Sequence, residues 1–126
     1  MKKILKVSLP PYTSPRNEWR RKIHKAVSRS MNAGKVTYAP DDRFAVDIEL
    51  HMTETMLGFH DVDNRLKDVL DALQGRMGGS KKVHAHTRLI SNDKQVFEVV
   101  IKKVLLSTGS RGGGILKLRR IRQEGL

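Results

Sequence analysis

The chain has 126 residues, 38% of them hydrophobic and 5% aromatic, which suits one domain with a core of Ile, Leu, Val and Met. It has no cysteine, which excludes disulfides, thiolate zinc sites and cysteine nucleophiles. It also has no run near the ~20 apolar residues of a membrane span, so a soluble, cytoplasmic protein is expected. Lys and Arg number 25 against 13 Asp and Glu, a formal charge of +12, and such a field attracts polyanions, nucleic acid first among them.

Residues 3–9 alternate Leu5, Val7 and Leu9 with Lys6 and Ser8, the period of a half-buried strand, and Pro10-Pro11 ends it. Ser14 as N-cap, Pro15 at the first helical position and Glu18 in the first turn predict a helix over 15–31, closed by Asn32-Ala33-Gly34. Trp19, Ile23, Ala26 and Val27 form its docking stripe, and Arg20, Arg21, Lys22, Lys25 and Arg29 occupy the rest. Arg20, Arg21 and Lys25, with Lys81 and Lys82 further on, are the candidate DNA-phosphate contacts.

Residues 44–52 predict the cleanest strand, Phe44, Val46, Ile48, Leu50 and Met52 on one face, Asp47, Glu49 and His51 on the other. A loop, "TETMLGFH", follows. The stretch "HDVDNRLKDVLDAL" is then a second helix, with Val62, Leu66, Val69, Leu70 and Leu73 as its stripe and Gly75 as its stop. Residues 82–90 read as a strand before a turn at 91–94. Residues 95–105 carry Phe97, Val99 and Ile101 on one side and Val96, Val100 and Val104 on the other, which suggests a central strand covered on both faces. The glycine-rich 106–114 reads as a hairpin connection into a last strand near Ile115, before a basic tail at 119–126.

On a basic chain, the aspartates of the second helix need a reason. Asp61 and Asp63 stand two apart where loop becomes helix, so both can converge on one point near the helix N-terminus. One could cap the helix and the other complement its dipole. A close pair repels itself unless a cation sits between, and Mg²⁺ takes one or two carboxylates, with waters and a substrate phosphate completing its octahedron. Lys67, four residues after Asp63, either pairs with Asp63 or Asp71 or stabilises charge developing on a phosphodiester. Asp68 is expected at the surface, and Asp71 is a solvated acid or an auxiliary one. His84 and His86 with His51 or His60 lack the spacing of a zinc site.

The segments "DVDNRLKDVLDAL" and "NDKQVFEVVIKKV" resemble the RusA family of Holliday-junction resolvases, whose pattern is D-x-D-N-x-x-K on a helix and a further Asp before a Q-V-containing strand. The resemblance implies a homodimeric, Mg²⁺-dependent endonuclease, with Mn²⁺ as a substitute, that cuts four-way DNA junctions in recombination and repair. It matches Asp61, Asp63 and Asp93 to metal-binding catalytic aspartates and Lys67 to a catalytic lysine, with Asn64 in support. The chain departs from the pattern in lacking a basic loop before Asp61 and in a longer segment from 75 to 91.

The expected fold is thus α+β: one domain, a mixed sheet of four or five strands and two main helices, paired as a homodimer. The alternatives are a non-catalytic nucleic-acid-binding protein and a RusA-like nuclease acting on flaps or other branched DNA.

Overall fold

The computed structural model describes residues 4–77, 87–106 and 112–121. In chain order the elements are β1 (Ile4–Leu9), α1 (Arg16–Gly34), β2 (Phe44–Met52), α2 (Glu54–Phe59), α3 (Val62–Leu73), a 3₁₀ turn (Asp93–Gln95), β3 (Val96–Leu105) and β4 (Gly113–Arg120). The strands form one sheet in the order β1-β4-β2-β3, with β2 parallel to β3 and antiparallel to β4. The class is the expected α+β with a mixed four-stranded sheet, carrying three helices rather than two.

Burial follows the alternation of the strands. Phe44, Val46, Ile48, Leu50 and Met52 of β2 are all buried, and they meet Val7 and Leu9 of β1 and Leu116 and Leu118 of β4 on the same face. Trp19, Ile23, Val27 and Met31 of α1 and Val69, Ala72 and Leu73 of α3 complete this core. Each large aliphatic side chain so buried contributes about 1.5–3 kcal/mol. Helix α1 has Pro15, not Ser14, at its N-cap, and it ends at Gly34, after which the C-cap Lys35 takes the left-handed conformation (φ 52°). The Val36 N–H then closes the turn on Met31 O at 2.8 Å, a helix-terminating geometry usually left to glycine.

Three expectations about topology are corrected. Strand β3 is an edge strand, not a central one: among the described residues it pairs only with β2, and Phe97, Val99, Val100 and Leu105 are exposed. Its apolar residues on both sides signal two coverable faces, but the helices cover only one face of the sheet. The connection from β3 to β4 is not a hairpin, because β4 pairs with β1 and β2 and the chain must pass β2 to reach its place. Residues 87–90 are not strand; Leu89 and Ile90 enter the core while their N–H groups donate to Leu73 O at 2.8 and 3.1 Å. The rest of that expected strand, with Lys82, His84 and His86, lies outside the described residues, as do Lys81 and most of the basic tail.

The segment before Asp61 is also corrected from loop to helix. Thr53 caps α2, its Oγ1 accepting from the Met56 N–H at 3.3 Å, and no residue of α2 is buried. Among the described residues no helix is long and apolar enough to cross a membrane.

Candidate metal and nucleic-acid site

The unit β2-α2-α3-β3 is a crossover between parallel neighbours, so the start of α3 stands beyond the carboxyl ends of β2 and β3, where open sheets of this kind bind ligands. Asp61 occupies the N-cap position of α3 with extended backbone (φ −90°, ψ 137°), yet its carboxylate makes no capping hydrogen bond. Its side-chain partner is Asn64, whose Nδ2 donates to Oδ2 at 3.4 Å. Asp63 sits in the first turn, and Asp61, Asp63, Asn64 and, one turn on, Lys67 are all exposed. Among the described residues none of Asp61, Asp63 and Lys67 belongs to an ion pair, so the Lys67 pairing is not made; nor is the side-chain cap, while Asp63 does take the dipole-favoured place in the first turn.

Asp68 is the largest correction. It is fully buried and gathers three guanidinium groups: Arg16 Nε and Arg20 Nε each donate to Oδ1 at 2.9 Å, and Arg65 Nε faces Oδ2 at 3.1 Å without hydrogen-bond alignment. Arg20 also reaches Asp71 Oδ2 at 3.2 Å, so Asp71 is an ion-pair partner rather than a free acid. Arg20 itself, expected at a DNA phosphate, is therefore withdrawn into this cluster. Of the expected contacts on α1, Arg21 and Lys25 are exposed, Arg21 with Glu18 beside it at 3.1 Å.

The cluster extends to the first turn of α3. Arg16 Nη2 donates to Asn64 O at 3.2 Å, and Arg65 Nη1 donates to His60 Nδ1 at 3.0 Å while its guanidinium lies 4.4 Å from the centre of the Tyr12 ring. A guanidinium can only donate, so His60 must accept at Nδ1 and carry its proton on Nε2. Burial, then the cations Arg65 and Lys103, hold the His60 pKa below its ordinary value. Lys103, on β3, donates from Nζ to Leu57 O at 2.6 Å and to His60 O at 2.9 Å.

Asp93 stands elsewhere in the chain. It opens the 3₁₀ turn held by Gln95, whose buried side chain donates to Ala39 O and Asp42 O at 3.1 and 2.8 Å and accepts from the Ser91 and Asn92 N–H groups at 2.9 and 3.0 Å. That turn lies at the start of β3, whereas Lys103, which reaches the residue before Asp61, lies toward its end. Seven residues of strand, about 23 Å, separate the two places. Asp61 and Asp63 are thus brought together with Asn64 and Lys67, and Asp93 is not added to them within one chain. Among the described residues no three His, Asp or Glu side chains are grouped to hold a metal ion.

Asp68, Arg16, Arg65, His60 and Lys103 escape a reading based on apolar spacing. The buried positions of α3 are Arg65, Asp68, Val69, Ala72 and Leu73, an i, i+3, i+4, i+7, i+8 stripe whose first members are charged. The expected apolar stripe is rotated from it: Leu66 and Leu70 are only partly buried and Val62 is exposed. The (i, i+3) pair of Arg65 and Asp68 beside Val69 was the available signal.

The chain matches no protein-family model, and no curated protein matches it.

Proposed function

We propose that the protein is a Mg²⁺-dependent endonuclease acting on four-way and related branched DNA as a homodimer. The observation that carries this reading is the state of Asp61 and Asp63: two exposed carboxylates at one helix start, neither ion-paired among the described residues and with Asp61 not capping, on a chain of +12. The helix dipole favours Asp63 in the first turn but leaves the uncapped Asp61 carboxylate beside it unexplained, and the hard oxygen donors of the pair suit Mg²⁺. When bound there, Mg²⁺ supplies charge neutralisation at the phosphate and lowers the pKa of a bound water. Lys67, one turn along, offers its ammonium to charge developing on the phosphodiester during hydrolysis to a 3′-hydroxyl and a 5′-phosphate. The exposed Arg21 and Lys25 of α1 supply sequence-independent phosphate contacts.

The position of Asp93 gives the dimer a function. Among the described residues strand β3 has an unpaired edge, and it exposes Phe97, Val99, Val100 and Leu105, the kind of edge that invites a second strand. If two copies of β3 pair antiparallel about a dyad near the strand's middle, the start of one lies beside the end of the other. Asp93 of one protomer then approaches Asp61 and Asp63 of its partner, and a metal site of three aspartates assembles twice, as cutting two opposed strands of a junction requires.

The separation of Asp93 from the pair within a chain is also what favours the second reading, a basic nucleic-acid-binding protein without catalysis. A labelled four-way junction incubated with the protein, with and without Mg²⁺ and beside Asp61→Asn, decides between them. Mg²⁺-dependent cutting that the substitution abolishes, with binding retained, supports the nuclease. Binding without cutting of four-way, flap or other branched DNA supports the alternative, and cutting confined to flaps changes the substrate only.

A further inference from the structure

Helix α2 is the weakest-held element next to the carboxylate pair. None of its residues is buried, Phe59 is 80% exposed, and a Cβ at Gly58 would meet nothing within 4 Å. Its C-terminal end would leave carbonyls unsatisfied, as any helix does. One cation answers this: the Lys103 ammonium takes Leu57 O at 2.6 Å and His60 O at 2.9 Å, from a strand that is itself fixed in register on β2, Lys103 opposite Leu50. A positive charge at a helix C-terminus is also electrostatically favourable.

The His60 carbonyl shares its peptide plane with the Asp61 N–H, so the group Lys103 grips sets the direction in which the chain enters Asp61. Arg65 holds the same residue from its side chain, through His60 Nδ1. We propose that Lys103 is a positioning residue for the metal pair: by clamping the joint between α2 and α3 to β3 it aims the Asp61 carboxylate, without touching metal or DNA. This inference rests on the metal-binding reading of Asp61 and Asp63. Groups that orient metal ligands from behind are worth about 10–100-fold in metal affinity.

The test uses full-length wild-type protein, Lys103→Met, which keeps the aliphatic stem, and Lys103→Arg, which restores a cation. Mn²⁺ binding is read from the loss of the free-ion paramagnetic resonance signal, and amide hydrogen exchange is followed over residues 57–61 without metal. Lys103→Met should bind Mn²⁺ about tenfold more weakly, exchange faster at those amides alone and keep the wild-type melting midpoint, with Lys103→Arg recovering most of the affinity. Equal Mn²⁺ affinity in Lys103→Met and wild type would overturn the proposal, as would unchanged exchange at 57–61. If the wild type itself binds no Mn²⁺, the metal reading of the pair fails and this inference with it; faster exchange would then show the clamp to be structural only.

Discussion

Arg20 donates from Nε to Asp68 Oδ1 at 2.9 Å across the seam between α1 and α3, with 11% of the arginine side chain and none of the aspartate open to solvent. With Arg16 and Arg65 on the same carboxylate, this contact makes Asp68 the hub that joins the two helices next to the exposed pair. Breaking a buried ion pair from one side costs more than the pair contributes, because the remaining charge is stranded. Asp68→Ala should therefore destabilise the protein by about 3–5 kcal/mol in urea unfolding, and a drop under about 1 kcal/mol would show the guanidinium groups to be satisfied without it.

The arginines of α1 should separate by role. Arg20→Ala should lower stability, since it removes one of the three guanidinium groups on buried Asp68 and the ion-pair partner of Asp71, whereas the double variant Arg21→Ala, Lys25→Ala should leave the urea midpoint unchanged. The double variant should weaken DNA binding and reduce the slope of log K against log salt by about 2, near one unit for each phosphate that is no longer neutralised. An unchanged slope would remove that face of α1 from the DNA interface.

Gln95 satisfies four polar groups at once with a side chain on a residue only 7% exposed. Gln95→Ala leaves the carbonyls of Ala39 and Asp42 and the N–H groups of Ser91 and Asn92 to find other partners, at a cost of about 2–3 kcal/mol in unfolding experiments. A near-neutral effect would mean that water replaces the amide and that the Asp93 turn is not rigidly held.

Burial raises the pKa of the Tyr38 hydroxyl, with Arg120 opposing and Asp42 adding to the rise. A phenol harder to ionise in the folded state contributes stability that is complete below its unfolded value near 10 and is lost as pH rises through the higher folded value. Absorbance titration at alkaline pH should show a late phenolate phase that Tyr38→Phe removes; an unchanged titration curve would place the late phase elsewhere.

Much of this architecture is legible in sequence, for reasons particular to each element. Residues 44–52 alternate so regularly that strand and buried face follow directly, and the Asp61, Asp63, Lys67 spacing locates the exposed end of α3. The stripe on α3 is misread because Arg65 and Asp68 occupy buried positions, and a pattern of apolar residues alone cannot detect charges that neutralise one another across helices. Strand β3 is misplaced for a complementary reason: apolar residues on both faces announce burial without saying whether the covering surface belongs to the same chain. The position of Asp93 depends on the parallel crossover, which no local pattern encodes.

The proposed metal site is complete only if Asp93 of one protomer joins Asp61 and Asp63 of the other. The direct measurement mixes two inactive variants, Asp61→Asn and Asp93→Asn, allows the protomers to exchange, and assays Mg²⁺-dependent cutting of a four-way junction. Random assortment of a two-fold dimer should restore about a quarter of the wild-type sites, because half of the dimers then hold one intact combination. No recovery after verified exchange would contradict the shared site.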